Sequence, residues 1–156
     1  SEYLGKKLKD TLKPLDMTVE EFVKICDKFT NKKIFKRDSS GALIKDSDGN
    51  LTKVNLAGHN LSGANLREAV LNYANLKGTN LSGANLSGAN LTEANLVRAY
   101  LLEANLEHSI LVDADLSEAY LYDANLVGAD LRRSTLSGTK LTGADLSKAN
   151  LIGRVT

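Results

Sequence analysis

Residues 84–88 read Ala84-Asn85-Leu86-Ser87-Gly88, and this order of residue types recurs through most of the chain. Leu stands at every fifth position from Leu51 to Leu151, 21 times without insertion or substitution. The residue two before each Leu is small: of the 20 such positions from Val54 to Ala149, 14 are Ala, and the rest are Val54, His59, Thr79, Ser109, Ser134 and Thr139. Immediately before Leu the residue is usually Asn or Asp, as in Asn75-Leu76 and Asp115-Leu116. A period of five matches neither a helix nor a strand. On one α-helix successive Leu would advance about 500° and spiral round the axis, and on a flat strand they would alternate between faces. Both conflicts vanish if the chain turns a corner within each repeat, so that Leu and the small residue point inward and the other three point out. Stacked coils then bond to one another through their backbones. Nine of the 12 glycines lie two residues after a Leu, among them Gly63, Gly78 and Gly143, where a type II turn needs positive φ.

The motif Ala-(Asn/Asp)-Leu-x-x resembles the pentapeptide-repeat family over roughly two thirds of the chain. That resemblance implies an all-β solenoid, a right-handed quadrilateral β-helix with four repeats per coil and Leu and Ala inside. It also implies kinship with a family especially numerous in cyanobacteria, most of whose members have no assigned biochemical role. Residues 49–156 would then form about five coils, a rod about 25 Å long. Burial of each Leu contributes about 1.5–3 kcal/mol before entropy is counted.

Residues 1–48 lack the pattern, and we expect them to form a small helical cap with a short strand and turn segment. Leu4, Leu8 and Leu12 suggest an amphipathic helix ending before Pro14. Thr18 and Glu21 form a capping box for a second helix, whose apolar side is Val19, Phe22, Val23, Cys26 and Phe29. Ile34-Phe35 and Ala42-Leu43-Ile44 read as short strands around the turn Asp38-Ser39-Ser40-Gly41. All three Phe lie here, which suits a plug over the open first coil near Leu51, Val54 and Leu56. The lysines of this segment are diluted by Asp10, Glu20, Glu21 and Asp27 and read as a solvated face.

A net charge of +1 argues against a polycation that binds nucleic acid directly. Cys26 is the only cysteine, so no disulfide can form within the chain. No apolar run approaches the ~20 residues of a membrane span. We expect a cytoplasmic protein, or a lumenal or periplasmic one if a leader was removed before Ser1. Asp46, Asp48 and Asn50 resemble the start of a calcium loop, but Leu51 and Ala57 stand where Gly and Glu are needed. His59 and His108 are the only histidines, and His59 reads as a packed residue in a slot normally given to Ala. No phosphate loop, nucleophile elbow or zinc motif is present. We expect no catalytic residue, no cofactor and no metal.

One departure from the repeat is informative. Gly is absent two residues after Leu in seven consecutive repeats: Glu93, Arg98, Glu103, His108, Asp113, Glu118 and Asp123. In that run we expect corners other than type II. Over the same stretch the residue before Leu becomes Tyr100, Ile110 and Tyr120, and the one after it Leu102, Val112 and Tyr122. With four repeats per coil, residues 20 apart are stacked neighbours, so Tyr100 lies beside Tyr120, Leu102 beside Tyr122 and Glu103 beside Asp123. These six residues form a candidate partner-binding patch with an acidic edge. The alternative is plain cross-strand packing along the ladder. The function expected is a non-catalytic protein-binding or structural scaffold for a protein partner. The alternative from the family is a DNA mimic that binds or protects a topoisomerase, which would need an acidic stripe along the whole rod. Arg132, Arg133, Lys140, Lys148 and Arg154 crowd the last coil, and their mutual repulsion predicts a monomer or at most a weak end-to-end dimer.

Overall fold

The computed structural model describes Ser39, Ser40 and residues 55–153. Ser39 and Ser40 sit in an exposed turn, as their sequence suggests. The expected cap helices and strands, the burial of Phe22, Phe29 and Phe35, Cys26, Arg154 and the segment Asp46 to Asn50 lie outside the described residues.

From residue 55 onward every repeat contributes one parallel bridge residue and one turn. Each bridge joins residues 20 apart, from Asn55 with Asn75 to Asp130 with Asn150, so four five-residue repeats make one coil. The result is a four-sided solenoid. Its first face carries Leu56, Leu76, Leu96 and Leu116, and its second Leu61, Leu81, Leu101 and Leu121. The third carries Leu66, Leu86, Leu106 and Leu126, and the fourth Leu71, Leu91, Leu111 and Leu131. These leucines, with the alanines two residues before most of them, form one buried core. Towards the last coil Leu136, Leu141 and Leu146 are only partly buried.

Backbone accounting explains the five-residue formula. The amide of each Leu donates to the next coil (Leu101 to the Tyr120 carbonyl, 2.7 Å), and so does the amide two residues on (Glu103 to Tyr122, 2.9 Å). The amide of the small residue closes the turn on the preceding Leu (Ala104 to Leu101, 3.1 Å), and the one after it donates to the previous coil (Asn105 to Ala84, 2.9 Å). From Leu76 to Ser134 only the amide just after Leu lacks a backbone partner among the described residues. The Asn or Asp just before Leu supplies one: its Oδ1 accepts from that amide at 2.9–3.3 Å wherever Asn or Asp holds the slot, from Asn55 to Asn150. Asn and Asp are favoured there because their short side chains reach an amide two residues on. Inside, Thr79 and Thr139 donate their hydroxyls to the carbonyls of Leu56 and Leu116 at 2.8 and 2.7 Å, which makes a polar residue tolerable in an Ala slot.

The corner expectation fails. Glu103 and Asp113 have φ of 56° and 59°, beside 68° at Gly83, and the whole run from Glu93 to Asp123 is alike. The amide of each corner residue is tied to the next coil, so leaving the left-handed region would break a hydrogen bond that all the coils share. Side chains therefore accept the strain, about 1–2 kcal/mol each. A Cβ at Gly83 would meet nothing within 4 Å, so Gly83→Ala isolates this backbone term. Denaturant unfolding should show a loss of about 1 kcal/mol.

Candidate partner-binding face

The second face carries all six candidate residues. Tyr100 and Tyr120 form a bridge pair. Their rings stack with centroids 4.9 Å apart and planes 3° from parallel, and Tyr122 leans on Tyr120 at 6.4 Å. Tyr100 and Leu102 are 45% and 37% exposed. Glu103 and Asp123 follow Leu102 and Tyr122 at the corner, and among the described residues neither has an ion-pair partner. Ile110 and Val112, which belong to the same irregular stretch of sequence, are placed by the 20-residue register on the opposite, fourth face near Val70.

Three features of this face escape a reading confined to the irregular repeats. Lys140, one coil beyond Tyr120, lies over the Tyr120 ring with Nζ 5.8 Å from its centroid and donates to the Gly138 carbonyl at 2.7 Å. On the other side, an open hollow of about 310 Å³ is lined by Gly58, His59, Asn60, Gly78, Asn80, Ser82, Tyr100 and Leu102. The 20-residue register, carried one step further each way, would have found both. Third, Tyr100 and Tyr120 replace the capping Asn or Asp, so the Leu102 and Tyr122 amides have no partner among the described residues.

His59 is half-buried, with Nδ1 3.1 Å from the Ala57 carbonyl, in keeping with a packed role. Among the described residues no three His, Cys, Asp or Glu side chains converge to hold a metal ion. No helix among them is long and apolar enough to cross a membrane.

Each arginine among the described residues is paired with an acid, while Glu93, Glu103, Asp115, Asp123 and Asp145 have no such partner. Arg98 donates to Glu118 at 2.9 Å and Arg133 to Asp113 at 3.0 Å, each from one coil to the next, and Arg132 pairs with Asp130 at 2.7 Å. Two of the basic residues expected to repel a second copy thus already have acidic partners. Hydrogen bonds from Arg133 and Arg98 hold the carboxyls of Asp113 and Glu118 below their usual ranges. Groups depressed in the folded state stabilise it above the ordinary carboxylate pKa and lose that contribution as pH falls through the depressed values. The melting temperature should be flat above about pH 5 and fall below about pH 4, more gently in Arg98→Gln/Arg133→Gln.

The pentapeptide-repeat family model matches residues 50–88, 84–121, 99–138 and 114–153. Among solved structures, a pentapeptide repeat protein from the cyanobacterium Cyanothece 51142 is 31% identical, covering 65% of this chain and 83% of its own, with a TM-score of 0.64. One from the thylakoid lumen of Arabidopsis thaliana is 30% identical over 61% of this chain and 63% of its own, with a TM-score of 0.32. HetL of Nostoc sp., described as involved in heterocyst differentiation regulation, is 29% identical over 82% and 48%, with a TM-score of 0.34. No curated protein matches.

Proposed function

We propose that this chain, which belongs to the pentapeptide-repeat family, is a non-catalytic scaffold that holds a protein partner on its second face. The observation that carries the reading is an exchange made at two stacked positions. At Tyr100 and Tyr120, as at Val70, Ile110, Thr135 and Lys140, the chain gives up the side-chain cap that Asn or Asp supplies in the other repeats, an interaction of about 1 kcal/mol each. Stacking of the two rings returns about 0.5–1.5 kcal/mol, so stability gains little. What the exchange yields is an exposed aromatic shelf beside Leu102 and two unpaired carboxylates, together with two free amide donors. Aromatic anchors of this kind dominate protein interfaces.

The mimicry alternative lacks comparable support. Along the second face only Glu103 and Asp123 are acidic, and Lys140 follows them. On the first face Glu118 is neutralised by Arg98.

The test is capture from native lysate by wild type, Tyr100→Ser/Tyr122→Ser and Ile110→Ser, the last on the opposite face. Partners retained by wild type and Ile110→Ser should be lost from the double variant. Equal capture by all three would refute the reading. Tyr100→Asn guards against loss through unfolding. It restores an acceptor for the Leu102 amide and should remain within about 1 kcal/mol of wild type while losing the partner.

A further inference from the structure

Tyr100 and Tyr120 belong to a column that runs Asn80, Tyr100, Tyr120, Lys140, one residue per coil. Tyr120 is sandwiched: Tyr100 covers one side at 4.9 Å and the Lys140 ammonium approaches the ring at 5.8 Å. Among the described residues Tyr100 is covered on one side only. Its other flank borders the hollow over Gly78, Asn80 and Ser82. The stack therefore has, among the described residues, a vacant layer floored by Gly78, Asn80 and Ser82.

We propose that this layer is filled by an arginine side chain of the protein partner, carried on an extended segment. The proposal rests on the scaffold reading and specifies the chemistry of its partner. Three observations favour a flat cation. The vacant surface is the face of a tyrosine ring, which attracts cations and stacks on a planar guanidinium. The carboxylate of Glu103, one coil from the vacant layer, has no ion-pair partner among the described residues. Two of the three cations nearby are also out of its way; the third, Lys77 beside Gly78, has no ion-pair partner among the described residues and counts against it. Arg98 is engaged by Glu118 at 2.9 Å. Lys140 stands three coils from the vacant layer, about 14 Å away and beyond the ~8 Å screening length at physiological salt. The floor suits an extended backbone. Asn60 and Asn80 spend their Oδ1 atoms on the Ser62 and Ser82 amides at 3.0 Å, which leaves each side-chain NH2 to donate. The uncapped Leu102 amide is a third donor for a partner's carbonyl.

The experiment is an NMR titration of the full chain with three blocked tripeptides, Gly-Arg-Gly, Gly-Lys-Gly and Gly-citrulline-Gly. Citrulline has the shape of arginine without its charge. The arginine peptide should shift the Tyr100 ring and the Asn80 side-chain amide saturably, and bind at least about five-fold more tightly than the citrulline peptide. Tyr100→Ser should abolish the response. Glu103→Gln should weaken it about two- to five-fold and flatten its salt dependence. Equal binding of the citrulline peptide, tighter binding of lysine than arginine, or shifts confined to other faces would overturn the proposal. If the arginine response fails while partner capture still depends on Tyr100 and Tyr122, the scaffold stands and the arginine falls. An arginine response that persists where no partner is captured supports the site and removes the scaffold.

Discussion

Leu101→Ala is expected to lower the unfolding free energy by about 2–5 kcal/mol. Leu101 is fully buried, and in its column Leu81 and Leu121 belong to the neighbouring coils. Removing it deletes transfer free energy and leaves a void that the two coils cannot easily collapse. Their spacing is held by a hydrogen bond at nearly every backbone amide of the second face, such as Leu81 to the Tyr100 carbonyl and Leu101 to that of Tyr120. A wall this rigid keeps the cavity open, which places the cost towards the upper part of the range. Leu141→Ala, two coils on in the same column, should cost far less, because Leu141 is only partly buried. Leu101→Met, which roughly keeps the volume, should cost under about 1.5 kcal/mol. Urea unfolding with an unchanged m value checks the series. A central cost below that of Leu141→Ala would mean that the coils do relax and that the hydrogen-bonded walls are softer than they look.

The same rigidity decides what could be read from sequence. The corner in each repeat was legible from a buried Leu every five residues, and the resemblance to the pentapeptide-repeat family, which implies four repeats per coil, supplied the 20-residue neighbours. Tyr100 beside Tyr120 is the outcome. The corner geometry at Glu103 and Asp113 was not legible, because glycine preference is a local argument and the corner is fixed by a bond to the next coil. The role of Asn and Asp was only half visible. As identical residues in a column they suggest stacked ladders, but each bonds the amide two residues on within its own repeat, as Asn95 does with Val97 at 3.0 Å. Reading that role requires knowing which amide the coil leaves unpaired. Once it is known, Tyr100 and Tyr120 change meaning: they are surface aromatics, and they are also missing caps.

Inserting one whole repeat, Ala-Asn-Leu-Ser-Gly, between His108 and Ser109 is expected to leave the fold intact and abolish partner binding. The insert brings its own Leu, worth about 1.5–3 kcal/mol on burial, and its own cap and turn, so incorporation into the wall is favoured over looping out. Everything beyond it then rotates by one face relative to everything before it. Asp115 comes to lie beside Tyr100 in place of Tyr120, and Ser117 beside Leu102 in place of Tyr122. The shelf is divided between two faces although no residue has been replaced. Arg98 would meet Asp113 instead of Glu118, so that ion pair survives with a new partner. An insert of equal length without Leu, Ser-Ser-Gly-Ser-Ser, has nothing to bury and should bulge from the corner. Its closure entropy lowers stability modestly, but the register and the shelf remain. A disulfide reports the register directly. Parallel neighbours stand about 4.8 Å apart, within reach of a disulfide, so Tyr100→Cys/Tyr120→Cys should oxidise readily in the parent chain and with the Leu-free insert. It should not oxidise with the repeat insert, where the two positions occupy different faces. If the repeat insert forms the same disulfide and keeps its partner, the side-to-side contacts between coils outweigh burial of a further Leu. The column pairs, not the Leu period, would then be what sets the register of this rod.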